Sequence, residues 1–211
     1  MPRVIAICNA KGGVGKTTLT ILLATGATGK VAVVDADPQG SLEAWFERRG
    51  DDDIEYVHAT DERGLTRAVA KLRSSTIDWV IIDGAPASVE QLEAAIVASD
   101  LVLIPFRPSI KDLETIPIAI ELCEEYGRPF ALLSNAADKE WKNTAETAKA
   151  AALLGEVLPI SVRYHEGHAA SSTDGKSAAE FLKGRSKTSA VKEAEALWDA
   201  IKARLPKGRR A

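Results

Sequence analysis

"KGGVGKTT", residues 11–18, decides the fold. It follows the near-continuously apolar run "RVIAIC" (3–8) and opens onto a helical pattern over 17–26, so it occupies a strand-to-helix turn. Gly12, Gly13 and Gly15 let backbone N–H groups face a ligand without a Cβ in the way, and the helix N-terminus adds its dipole. Lys16 and Thr17 stand where a phosphate loop needs an ammonium for β/γ-phosphates and a hydroxyl for Mg²⁺. The loop departs from GxxxxGK[ST] at one place, since Ala10 stands where the first Gly belongs. A second lysine, Lys11, precedes the glycines, and one nucleotide in one subunit gives it no obvious use.

Outward from the loop, short β-branched runs alternate with helical patterns. "VAVVDAD" (31–37), "WVIID" (79–83), "LVLIPF" (101–106) and "PFALLSN" (129–135) read as buried strands, with "IEYVHA" (54–59) weaker and "VLPISV" (157–162) a candidate last strand. Helices are expected over 40–49, 62–74, 88–99, 111–126, 143–153 and 188–205, with Pro117 kinking or restarting its own. This alternation predicts an α/β fold, a mostly parallel sheet flanked by helices on both faces, with ligands at the C-terminal strand ends. The last helix carries Val191, Ala194, Leu197, Trp198, Ile201 and Leu205 at helical spacing, so it is expected to dock with Trp198 as an anchor. At 211 residues one domain is expected, 1–211, with a loose basic tail at 206–211.

Two strand ends carry acid. "VVDADPQGS" places Asp35 and Asp37 after one strand, and "WVIIDGAP" places Asp83 after another. A carboxylate at such an edge can hold Mg²⁺ through water, and another can orient an attacking water. Each Asp alone also reads as a helix N-cap or turn residue. Three at adjacent strand ends beside a phosphate loop favour the chemical reading.

Composition excludes several classes. A net charge of -3 supplies no overall field for nucleic acid, so such contacts need a local patch. Cys8 and Cys123 sit far apart in apolar segments, indicating neither a disulfide framework nor a metal knuckle. No signal peptide and no membrane-length apolar run is read, and a soluble cytoplasmic protein is expected. His165 and His168 lack a third ligand nearby and read as polar loop residues, while Trp45 and Phe46 read as packing residues.

"KGGVGKTT", "VVDADPQGS" and "WVIIDGAP", with "ASDLVLIPFRPSIKDLET" and "LPISVRYHEGHAASSTDGKSAAEF", together resemble the deviant Walker A group. The chain is similar over essentially its full length to small ParA-type partition ATPases, in the wider group that includes MinD and the nitrogenase iron protein. The resemblance implies a P-loop NTPase that is a weak Mg²⁺-dependent ATPase. Lys11, Gly12, Gly13, Val14, Gly15, Lys16, Thr17 and Thr18 would bind ATP, with Asn135 and Pro159 near the adenine. Lys11, Lys16 and Asp37 would form the catalytic set, Lys11 crossing to the nucleotide of a second subunit in an ATP sandwich dimer. Thr17, Asp37 and Asp83 would serve the metal, Asp83 as the Walker B aspartate, while Asp35 assists structurally or through metal-bound water.

Small ParA proteins also bind DNA without sequence preference, which implies a nucleoid-associated dimer and a ParB-like adaptor that stimulates hydrolysis. Candidate cations are Arg163, Lys176, Lys183, Arg185, Lys187, Lys202, Arg204, Lys207, Arg209 and Arg210. The phosphate loop begins almost at once, so the small type without its own helix-turn-helix is expected. The cargo reads as a plasmid or chromosome, or alternatively a protein assembly such as a chemotaxis array or carboxysome. A MinD-like membrane role fits less well, because Pro206 and Gly208 break the terminal amphipathic face. An iron-protein role lacks suitably placed cysteines.

Overall fold

The β-branched apolar runs form strands as expected in a computed structural model that describes residues 1–51, 53–85, 88–137, 143–163, 173–181 and 189–205. They are β1 (Arg3–Ile7), β2 (Val31–Asp35), β3 (Ile54–His58), β4 (Trp79–Asp83), β5 (Leu101–Phe106), β6 (Phe130–Ala137) and β7 (Val157–Arg163). These seven pair in parallel in the order β3-β2-β4-β1-β5-β6-β7. The central strands β2 and β5 are buried throughout, which is why their sequences show no polar alternation.

Alternate residues of each strand feed two cores. Val4, Ala6, Val34, Ile82 and Ile104 pack beneath α3 (Glu62–Arg73), α4 (Val89–Ala98), α6 (Ile116–Glu125) and α7 (Asn143–Leu154). Ile5, Ile7, Val33, Ile81 and Leu103 pack beneath α1 (Lys16–Gly26), α2 (Ser41–Arg49) and α9 (Ser189–Arg204). The helical pattern over 111–126 divides into α5 (Ile110–Leu113) and α6, which restarts at Ile116. Pro117 sits in its first turn, where a missing N–H leaves no bond unmade. A four-residue helix, α8 (Ala178–Phe181), is too short for periodicity to announce. Trp198 anchors α9 as expected: its Nε1 donates to the Leu23 carbonyl at 3.2 Å, and its ring meets Trp79 edge-on at 4.7 Å. Trp45 is buried and Phe46 stacks on Tyr56, so both are packing residues.

β1 is where the strand order turns, with β4, β2 and β3 to one side and β5, β6 and β7 to the other. The register sets Ile7, Asp35 and Asp83 level at adjacent C-terminal ends. A crevice at this point is where an open parallel sheet binds ligands.

Candidate functional site

The loop between β1 and α1 is held from three sides. Gly15 caps α1 at φ 91°, and a Cβ there would lie 2.2 Å from Asn135 Nδ2, so only glycine fits. Asn135 Nδ2 in turn donates to the Val14 carbonyl at 2.7 Å. Asn9 donates to the Pro105 carbonyl at 2.7 Å, while its Oδ1 accepts from the Lys11 N–H at 2.8 Å and the Thr115 hydroxyl at 3.2 Å. Lys16 lies almost wholly buried within the loop, its ammonium donating to the Asn9 carbonyl at 3.2 Å and the Lys11 carbonyl at 3.0 Å. Burial lowers its pKa, and the nearby Asp83 and Asp37 charges oppose that shift.

The three carboxylates play different structural parts. Asp35 is buried and accepts from the Asp37 N–H at 3.0 Å, the Tyr56 hydroxyl at 3.1 Å and the Glu43 N–H at 3.2 Å. Burial raises its pKa, and those hydrogen bonds counter the rise. Asp37 is half-buried at the turn into α2, with Oδ1 accepting from the Gln39 N–H at 2.9 Å. Asp83 is the anomaly. It is buried, and neither carboxylate oxygen receives a hydrogen bond of good geometry from the described residues, although the Thr17 hydroxyl lies close enough to favour the charged form. Burial pushes its pKa up to about 7, with the Thr17 hydroxyl and Lys16 drawing it partly back and Asp35 and Asp37 adding to the rise.

A buried carboxylate without partners is costly unless a cation meets it. Among the described residues no group of three or more His, Cys, Asp or Glu could hold a metal by itself. Mg²⁺ keeps its waters and is held by one or two carboxylates together with phosphate oxygens, the kind of donor set these strand-end acids offer. Thr17, Asp37 and Asp83 therefore fit such an ion.

Asp83 makes a direct prediction. Between about pH 4 and pH 7 the folded chain keeps a proton on Asp83 that the unfolded chain has released, so stability falls as pH rises through that window. Asp83→Asn is expected to stabilise the ligand-free protein by ~2–4 kcal/mol at pH 8, and much less at pH 4. Thermal melts in EDTA at the two pH values check this, and an equal gain at both would refute the ionisation argument.

Two site residues had gone unmarked in the sequence. Asp112, in α5, is buried and accepts from Lys11 Nζ at 2.6 Å, from Arg107 Nε at 3.1 Å and from the Arg107 N–H at 3.1 Å. Burial alone would raise its pKa, but Lys11 and Arg107 outweigh burial and hold the carboxyl below its usual range. Lys11 is thus seated within its own chain. The signal in "RPSIKDLET" is an acid that follows two cations and precedes a second acid, and nothing local distinguishes that from a solvated turn.

A cleft of about 230 Å³ opens beside the loop, lined by Gly13, Val14, Gly15, Thr18, Arg107, Asn135, Ala136 and Arg163. Ala136 holds φ 50°, the left-handed region and the only such non-glycine among the described residues, which marks a strained strand end at the site. Asn135 lines this cleft and braces the loop through its bond to the Val14 carbonyl. Pro159 does not line this cleft: it is exposed at a register shift on the edge strand, four residues before the strand end.

The candidate DNA cations divide. Arg163 faces the cleft and pairs with Glu193 at 3.0 Å, and Arg204 pairs with Glu156, so both charges are engaged locally. Lys176 and Lys202 are exposed, the latter with its ammonium 5.7 Å from the Trp198 ring. Lys183, Arg185, Lys187, Lys207, Arg209 and Arg210, like His165 and His168, lie outside the described residues. Cys8 and Cys123 are free and buried, as expected of core thiols.

Comparison with known proteins adds four matches. A family model described as the CobQ/CobB/MinD/ParA nucleotide binding domain matches residues 5–192. The chain is 38% identical over 119 residues to Maintenance of carboxysome distribution protein A of Gloeobacter kilaueensis, covering 54% of each chain. It is 35% identical over 125 residues to the chromosome-partitioning ATPase Soj of Thermus thermophilus, covering 53% of this chain and 48% of that one. The chain thus spans about half the length of these curated relatives. Among solved structures, the septum site-determining protein MinD of Pyrococcus horikoshii, complexed with Mg-ADP, shares the fold. Its TM-score is 0.79 over 95% of this chain and 96% of that chain, at 18% identity.

Proposed function

The chain belongs to the CobQ/CobB/MinD/ParA nucleotide-binding family, and on that premise we propose that it is a Mg²⁺-dependent ATPase whose ATP-bound dimer holds DNA and positions a cargo. The observation that carries the reading is the buried Lys16 inside the β1–α1 loop, near enough to the orphaned carboxylate of Asp83 for their charges to interact. Thr17, Asp37 and Asp83 would hold Mg²⁺, which would supply positive charge to offset the charge developing on the transferred phosphate.

The chain's own residues do the rest. N–H groups from Gly12 to Thr18 cradle the phosphates, and Lys16 donates to the β/γ oxygens. Thr17 and Asp83 hold the ion, while Asp37 accepts a proton-side hydrogen bond from the attacking water and aims it at the γ-phosphorus. Lys11 leaves Asp112 to reach the nucleotide of a second copy, so dimerisation reports ATP. A ParB-like adaptor would stimulate hydrolysis and release the dimer from DNA over the nucleoid.

The cargo reads first as a plasmid or chromosome. A carboxysome-type protein cargo is the second reading, favoured by the 38% identity to the carboxysome distribution protein. No helix among the described residues is long and apolar enough to cross a membrane.

DNA binding with ATP, with ADP and without nucleotide tests the proposal. Affinity is expected only with ATP, without sequence preference, because pairing two copies doubles a patch too small to act alone. If a dimer neutralises ~4 phosphates, the log-log salt slope is about -3.6. Lys176→Ala with Lys202→Ala is expected to flatten that slope, whereas Arg204→Ala leaves it unchanged because Glu156 already pairs that charge. Equal binding with ADP would sink the ATP-gated reading.

A further inference from the structure

α2 continues directly from the loop that carries Asp37, and both ends of this helix are tied down. At its start the Glu43 N–H donates to Asp35 Oδ2 at 3.2 Å, and the Asp37 N–H donates to Oδ1 of the same carboxylate at 3.0 Å. The helix has nine residues, and its eight steps from Ser41 to Arg49 span about 12 Å.

The Arg49 side chain is 6% exposed, and its five N–H donors have partners. Nε and Nη2 donate to the two Asp53 oxygens at 2.9 and 2.6 Å. Nη2 and Nη1 donate to the two Glu180 oxygens at 2.9 and 3.2 Å, and Nη1 also donates to the Gly175 carbonyl at 3.0 Å. The guanidinium lies 5.2 Å from the Trp45 ring centroid, and Trp45 Nε1 donates to the Lys176 carbonyl at 3.2 Å. Glu180 Oε2 accepts as well from the Ser177 N–H at 2.8 Å.

The turn also lies against the helix itself. Gly175 adopts φ +64°, and a Cβ there would fall 2.2–2.6 Å from the backbone of Arg48 and Arg49. No side chain fits between them.

We infer that α2 is a strut that carries the state of the Asp37 loop to the Thr173–Phe181 segment, with Arg49 as the positioning residue that makes the two move together. The Asp53 side of the fork opens to solvent, but Nη1 lies between Glu180 and the carbonyl of buried Gly175, and releasing it would leave buried polar groups unmatched. The segment is therefore bound to shift with the helix. The contacts form one unbroken chain from Asp35 to Lys176, which is a physical connection rather than mere intermediacy. What shifts is the turn that presents Lys176 at the surface, so nucleotide state would set that cation's placement. The inference rests on the ATP-binding reading of the loop but needs no DNA.

Hydrogen exchange of backbone amides 173–181, with the non-hydrolysable analogue AMPPNP and with ADP, tests it in the whole chain. Wild type is expected to show about tenfold different exchange between the two nucleotides, collapsing below about twofold in Arg49→Lys, whose ammonium cannot form the fork. Glu180→Gln, which removes one charge and keeps the helix, is expected to do the same. Calorimetry on the same samples is expected to give AMPPNP affinities within about threefold of wild type. Nucleotide binding without an exchange difference in wild type overturns the strut alone. So does a full wild-type difference retained in both variants. Absence of nucleotide binding in wild type overturns the strut together with the ATPase reading.

Discussion

Lys16→Ala is expected to bind ATP at least ~100-fold more weakly than wild type, a loss of about 3 kcal/mol or more. The ammonium is buried inside the loop and already donates to two of its carbonyls, so it meets phosphate oxygens with little water to lose. Alanine removes that donor and also the cation that opposes the upward shift of the Asp83 carboxyl. The variant should stay folded, because its backbone remains braced by Asn9 and Asn135. Titration calorimetry measures the effect, and wild-type affinity would remove Lys16 from the phosphate site.

Lys11→Ala is expected to retain ATP affinity within about tenfold while its ATP-dependent dimer weakens by at least ~100-fold. Within one chain the ammonium is tied to Asp112, a partner shared with Arg107. The truncated chain keeps that carboxylate compensated through Arg107, so folding is expected to survive. Light scattering with ATP decides between two roles. If Lys11 serves only to neutralise Asp112, Lys11→Ala and Asp112→Asn should both leave dimerisation intact. If it crosses to the second nucleotide, only Lys11→Ala abolishes the dimer, while Asp112→Asn unseats the lysine and leaves it able to cross.

The Asp83 prediction shows how the site and the fold pull against each other. A carboxylate that ordinary packing would exclude from the interior is kept there at a cost in stability, which a cation-bearing ligand would relieve. Perturbed groups of this kind gather where chemistry is done. Its neighbour Asp35, at the same level of the sheet, is instead satisfied by three donors and reads as a brace for the Asp37 turn.

The local sequence alone determined the strands and their parallel order of appearance, because buried parallel strands are runs of β-branched residues and need no partner to be recognised. It also placed the phosphate loop, Lys16, Thr17 and the strand-end acids, since each depends on a short spacing beside a strand or helix. Three-dimensional packing alone decided the rest. Asp112 meets Lys11 across 101 residues, Asn135 meets Val14 across 121, and Arg49 meets Glu180 across 131. Arg163 and Arg204 looked like free cations until folding set Glu193 and Glu156 beside them, and only the strand order and pairing register put Pro159 on the edge strand. A charge's partner is set by the distance that folding creates, and no local pattern of residues encodes that distance.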